Sequence, residues 1–350
     1  MQKLIKEFWD NLSDGREVDL YTLTTSDGAS VTISTLGGGL IKMMMPDRNG
    51  ILGDCILGFD NPEPYLDPNN GYLGLLVGRF ANRIRNGIFT LDGIKYRLPL
   101  NDNGANCLHG NGRLSYNIWK VDEAADDHLT LSFFSPDMED GFPGNFTCTV
   151  TYTLTEDHVL RIAYKAECDQ NTYVNLTNHA YFNLACDEST IYDHVMQLNA
   201  DTFTPIDSIN APTGEIRPVA GTAMDFTEPK PLRDGVLAEM PDVVAIGGID
   251  HNFCLRNKEG DFAQAAIFTE PKSGRKLEVW TDMPGIQIYT SNFMAEETGK
   301  YGLKNGRHRG CCFETQRYPD APNMPQFPSA LLKAGETFET VTEYRFEAEA

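Results

Sequence analysis

Side chains that change character at every second residue, broken by turn-forming pairs, recur from one end of this chain to the other. In "GIFTLDGIKYRLPL" two β-rich arms flank Asp92-Gly93, a pair that tolerates the positive φ angles of a tight hairpin turn. "FTCTVTYTLTEDHVLRIAYKAE" repeats the pattern around Glu156-Asp157, "AAIFTEPKSGRKLEVWTD" turns between Pro271 and Gly274, and the C-terminal "ETFETVTEYRFEAE" alternates once more. A 3.6-residue period is confined to the first dozen residues and to Arg233 through Met240, which are therefore the expected helices. The spread of 31 glycines and 19 prolines fits many strands joined by turns. The expected fold is all-β: one large antiparallel β-sandwich or distorted barrel with few short helices.

Length alone allows two domains, but no repeat and no low-complexity linker divides the chain. Residues 1–350 are read as one domain, with 1–20 an N-terminal extension of undefined role. A hydrophobic share of 41% supplies a core, and 23% charged residues keep the surface wet. The formal net charge of −21 repels phosphate backbones and anionic headgroups, so neither nucleic acid nor membrane is an expected partner. "MQKLIKEFWDNL" has no unbroken apolar stretch of signal-peptide length, and no run of about 18 apolar residues follows. A cytoplasmic protein, monomeric or weakly dimeric, is the default. Eight cysteines occur without a CxxC pair or a Cys/His cluster at metal-ligand spacing, which reads as reduced, mostly buried thiols.

Some strands carry polar residues where a core strand would not. Written as one strand, "NLTNHAYFNLA" puts Asn175, Thr177, His179, Tyr181 and Asn183 on one face and Leu176, Asn178, Ala180, Phe182 and Leu184 on the other. "CCFETQ" sets Cys312, Glu314 and Gln316 on one face, and "PGIQIYTSN" does the same with Gln287, Tyr289 and Ser291. "GRFANRI" adds Asn82 and Arg83, "NCLHGNG" adds His109, and "GGIDHNF" adds Asp250 and His251. Polar rows of this kind cost free energy unless they are wet or bonded, so they mark a concave, solvent-reachable face. Amide, imidazole, guanidinium and carboxylate groups together suit a ligand rich in hydroxyls, each of which donates and accepts. "LGGGL" and "IGGID" lack the spacing of a phosphate loop.

Each residue also has a structural reading. His179 could be a satisfied strand histidine and Glu314 a solvated carboxylate. Arg83 could pair with a surface acid and Asp250 cap a turn, while Asn82, Tyr181 and Gln287 could simply be bonded in place.

Taken in order, "GRFANRI", "LHG", "NLTNHAYFNL", "GIDHNF", "PGIQIYT" and "FETQRYPDAPNMPQFPSALLKAGE" resemble the aldose 1-epimerases, the galactose mutarotase family, from about Leu20 to the C-terminus. The resemblance implies a β-sandwich with a sugar cleft that interconverts the α and β anomers of a free aldohexose such as galactose or glucose, with no cofactor or metal. It implies His179 as general acid and Glu314 as general base. It further implies Asn82, Arg83, His109, Tyr181, Asp250 and Gln287 as the sugar-binding shell, with His109 also near the reacting oxygens.

Those residue types match the chemistry. A base takes the proton of the hydroxyl on C1 while an acid protonates the ring oxygen, and the ring opens to the aldehyde. At neutral pH this asks for a charged imidazole and an ionised carboxylate, which carboxylates facing the histidine would favour. Two other readings compete. A glycoside hydrolase would use Glu314 and Asp250, and a carbohydrate-binding module would hold a sugar unchanged.

Overall fold

In the computed structural model, which describes residues 2–349, three antiparallel sheets and several two-stranded ribbons account for the architecture. The largest sheet has nine strands and is built around consecutive hairpins, with Phe146–Leu154 paired to Val159–Cys168 through nine residues in register and Thr337–Ala348 closing on the latter. A six-stranded sheet runs in the order Tyr181–Phe182, Cys311–Gln316, Gly285–Tyr289, Asp250–Leu255, Ala200–Thr204, Arg217–Pro218. One face of that sheet supplies Phe182, Phe203, Phe253, Ile286, Ile288 and Phe313 to a core shared with Val150, Ile162, Val279 and Phe346 of the nine-stranded sheet. Ring contacts such as Phe182 with Tyr344 and Phe268 with Phe313 stitch the two layers together. Apolar alternation has one face to bury, and burying it against a second sheet leaves the opposite face free for polar groups. The fold is thus the expected all-β sandwich.

The three hairpins read from the sequence form as expected. Asp92 and Gly93 turn with φ of 51° and 77° between Ile88–Leu91 and Ile94–Arg97, and Gly274 donates its N–H to Glu270 O across the third turn. Of the cysteines, seven are buried and Cys186 is half-buried, all as free thiols. Among the described residues no helix is long and apolar enough to cross a membrane.

Three local expectations are corrected. The first dozen residues are not helical: Lys3–Asn11 is an edge strand paired with Glu17–Thr24. A lone helix of that length is marginal in water, whereas the neighbouring strand offers a complete ladder of partners. Between Arg233 and Met240 only Arg233–Val236 is helical, and a second helix, Pro241–Ile246, follows. Pro241 drives Met240 to an extended conformation with ψ of 133° and restarts the helix from its own fixed φ. Finally, Asn175 to Ala185 is not one strand but two short ones, Thr177–Asn178 and Tyr181–Phe182. The chain leaves the ladder at His179, whose N–H donates to Leu75 O while its C=O accepts from Gly74. The two-face pattern survives the break, with Leu176, Ala180, Phe182 and Leu184 in the core. Asn178 is the exception, satisfied where it is buried by donating to Gly74 O.

Candidate active site

The polar face of the six-stranded sheet is ordered in rows by strand register. Tyr181 lies opposite Cys312, Cys312 opposite Tyr289, and Tyr289 opposite Asp250. One step along, Glu314, Gln287 and Asn252 stand side by side. Cross-strand neighbours sit about 5 Å apart, so strands distant in sequence deliver their polar side chains to one patch.

Loops close over this patch. Arg83–Arg85 pairs with Asn106–Leu108 with Leu108 opposite Arg83, which sets His109 beside the Asn82–Arg83 corner. Asn82 adopts a φ of 64°, donates its N–H to Nδ1 of His109 and accepts from His109 N–H through its C=O. Its side-chain oxygen accepts the N–H of Arg83. Asn82 therefore orients His109, and with Nδ1 already an acceptor the His109 ring carries its proton on Nε2.

His179 and Glu314 meet here, Nε2 to Oε1, at 3.5 Å. Exposure is 4% for His179 and 1% for Glu314, so neither charge is solvated. The His179 ring packs 5.1 Å from that of Tyr181, 5.2 Å from His109 and 6.1 Å from Tyr72, and Cys312 Sγ lies 3.5 Å from its Nδ1. Burial pulls His179 down to about 4, with the Asp250 charge opposing it only in part. Burial pushes Glu314 well above the usual carboxylate range, and Asp250 adds to it. His109 falls well below its ordinary value, through burial first and then the neighbouring His179 and Arg83. Burial therefore works against the charged imidazole and ionised carboxylate expected from sequence. Both shifts run toward a neutral imidazole and a protonated carboxyl, an arrangement that holds the same single proton.

Across the patch, Arg83 is gripped at two points, its Nε donating to Asp102 Oδ2 at 2.8 Å and its Nη1 reaching Asp250 Oδ2 at 3.4 Å. Burial works against this charge, but the Asp250 and Asp102 carboxylates outweigh it and raise the guanidinium above its ordinary value. Gln287 Nε2 donates to Asp250 Oδ1 at 2.6 Å. Asp250, Gln287 and Arg83 form one fixed array, while Gln287 Oε1 and Glu314 Oε2 are buried with no protein partner. Tyr181 is different: its hydroxyl donates to Gly71 O at 2.7 Å, so it offers its ring rather than its hydroxyl to the polar patch.

The eight residues that the resemblance implies for the site therefore lie together around one polar patch. Sequence reading missed Asp102, which holds Arg83, and Tyr72, whose ring stands against both His109 and His179. Asp102 lies in the "NDNGAN" turn, where an aspartate looks like an ordinary turn residue. His251, singled out beside Asp250, is turned away and buried against the ring of Phe203.

His109, His179 and Glu314 each bring one potential ligand atom within 4.8 Å of the others. The donor set does not fit a metal ion. A ligating Nε2 requires the proton on Nδ1, and Nδ1 of His109 faces the Asn82 N–H, itself a donor.

Residues 19–345 match the family described as aldose 1-epimerase. A galactose mutarotase of Sus scrofa is 42% identical over 342 residues, 97% of this chain and 97% of that one. The aldose 1-epimerase of Escherichia coli K12 is 34% identical over 339 residues, 96% of this chain and 97% of that one. The crystal structure of a GalM/aldose epimerase homologue from C. elegans superimposes with a TM-score of 0.86 at 30% identity, covering 100% of both chains. A galactose 1-epimerase from Lactobacillus acidophilus gives the same TM-score, 0.86, at 27% identity. With the match running from the second strand nearly to the C-terminus and relatives of this identity along almost the whole length, the chain belongs to the aldose 1-epimerase family.

Proposed function

We propose that the interconversion of sugar anomers, the activity of this family, runs in this protein through His179 as acid and Glu314 as base. The observation that carries the assignment is their 3.5 Å approach on a buried polar face. Glu314 takes the proton of the hydroxyl on C1 as His179 gives its proton to the ring oxygen. The C1–O bond of the ring then breaks and the aldehyde is released from the ring. Rotation about C1–C2 presents the other carbonyl face, and closure returns both protons.

The electrostatics of the site support a specific sequence of states. Ring opening converts imidazolium and carboxylate into imidazole and carboxylic acid, the pair that burial favours. Because the charged pair is the one burial disfavours, the sugar hydroxyls must stabilise it before the ring opens and again on closure. The Nε2–H of His109 is suited to donate to a reacting oxygen, and the Arg83–Asp250–Gln287 array to hold the hydroxyls beyond it. We assign a free aldohexose, galactose or glucose, as substrate, in line with the galactose mutarotases among the relatives.

Hydrolysis by Glu314 and Asp250 fits less well, because both Asp250 oxygens are engaged, by Arg83 and by Gln287. Polarimetric decay of freshly dissolved α-galactose and α-glucose tests the proposal: acceleration without hydrolysis of an aryl glycoside is the expected result. Release of the aryl alcohol, or saturable sugar binding with no acceleration, would overturn it.

A further inference from the structure

Away from the sugar cleft, two thiols distant in sequence meet. Cys55 follows the Leu52–Asp54 strand, Cys186 lies in the loop after Tyr181–Phe182, and their sulfurs are 3.6 Å apart. Cys55 is fully buried, whereas Cys186 is half-buried and borders two surface cavities, one shared with Lys300 and Tyr301 and the other, of about 550 Å³, with Gly53 and Arg275. The backbones are tied on either side of the pair. Asn183 donates its N–H to Cys55 O, Leu57 donates to Tyr181 O, and Ile56 bridges Phe182. Gly53 makes the approach possible, since a Cβ there would fall 2.7 Å from Cys186 Sγ and 2.8 Å from Cys186 Cβ.

We propose that Cys55 and Cys186 are a reversible redox pair that closes to a disulfide, Cys186 meeting the oxidant and Cys55 resolving it. With hydrogen peroxide as oxidant, the Cys186 sulfur attacks one peroxide oxygen and the O–O bond breaks. Cys186 becomes a sulfenic acid, and the departing hydroxide leaves as water with the proton Cys186 has lost. The Cys55 sulfur then attacks the sulfenic sulfur, the S–S bond forms, and the second hydroxide leaves as water with the Cys55 proton. Two thiols give up two electrons and peroxide becomes two waters; an external dithiol reverses the step by exchange. The order of events follows from access, because only Cys186 is reachable from solvent. Burial and the neighbouring thiol hold Cys55 well above the usual thiol range, which suits the partner that stays protonated until the second step.

The consequence is mechanical. The bond would fasten the loop leaving Tyr181–Phe182 to the segment after Leu52–Asp54, which runs alongside the strand that carries Tyr181. It would also close a long loop, which restricts the unfolded chain.

The test is mass spectrometry of the purified protein after stoichiometric hydrogen peroxide. The expected result is a loss of about 2 Da, one peptide linking Cys55 to Cys186, and return to the starting mass with dithiothreitol. Cys186→Ser and Gly53→Ala should abolish the link, and Cys107→Ser, whose thiol is buried elsewhere, should keep it. An unchanged mass, or a gain of about 32 Da on Cys186 without the link, would overturn the proposal.

Discussion

His179 Nε2 and Glu314 Oε1 stand 3.5 Å apart, one on a kink between two short strands and the other in the middle of a six-residue strand. Both side chains are buried, and the proposed exchange needs one proton between them. Replacing either removes half of the proton exchange but little of the binding surface. His179→Ala or Glu314→Gln should each lower kcat by a factor of about 10² to 10⁴, with KM changed only a few-fold. Polarimetry over a range of sugar concentrations separates the two parameters, and near-parental turnover in either variant would remove the assignment.

The pH profile follows from the same pair. Activity needs one proton shared between the two groups. A second proton is added only when His179, held at about 4, is titrated, and the first is lost when Glu314, held well above the usual carboxylate range, gives it up. The acid limb of kcat/KM should therefore lie well below the ordinary histidine value of about 6.5, and in Glu314→Gln the alkaline limb set by Glu314 should be replaced by one at lower pH, where His179 loses its proton.

Stability should respond to pH in a different window. His109, His179, His194 and His251 are all buried and all depressed, the last three to about 4. Between about pH 6.5 and 4 the unfolded chain binds protons that the folded one refuses, so stability is full above the unfolded value and falls as the pH drops. Each histidine held at about 4 contributes about 3 kcal/mol over that range at 1.36 kcal/mol per unit. Glu314 and Asp320, both raised, act in the opposite sense over part of it. Urea unfolding at pH 7 and pH 4.5 should show a net loss of several kcal/mol.

Asp102 links stability to the sugar site. Its carboxylate and the Arg83 guanidinium are each only 9% exposed. Asp102→Ala leaves a buried cation with one partner fewer and should cost about 3 kcal/mol or more. Because Arg83 also steadies Asp250, KM should rise, while kcat at saturation falls less; kinetics and denaturation on the same preparation check both.

Gly110 is a steric test of the loop that carries His109. With φ of 57°, a Cβ there would fall 2.4 Å from Gly78 O and 2.5 Å from Arg79 N, both backbone atoms that cannot yield. Gly110→Ala should destabilise the protein by about 2 kcal/mol or more and lower kcat by displacing His109. Gly93→Ala, which meets nothing within 4 Å in an exposed turn of similar φ, should cost about 1 kcal/mol and leave kcat unchanged.

The sequence by itself determined the sandwich and the membership of its polar face. Alternation is a local property, since side chains two apart on a strand share a side whatever that strand pairs with, so Cys312, Glu314 and Gln316 were legible as neighbours. The quoted segments carried the eight site residues through their resemblance to the aldose 1-epimerases, and alternation showed only which of them share a strand face. What tertiary structure decided is everything that depends on separation through space. It broke the His179 strand in two, because backbone partners in the Gly74–Leu75 loop replaced a continuous ladder. It turned the Lys3–Asn11 segment from helix to edge strand and gave Arg83 its second carboxylate from an unremarkable turn. It also set the burial that shifts the central pair, His179 downward and Glu314 upward. Residue type suggested imidazolium and carboxylate, but the cost of an unsolvated charge is set by the atoms around it, and no local pattern encodes that enclosure.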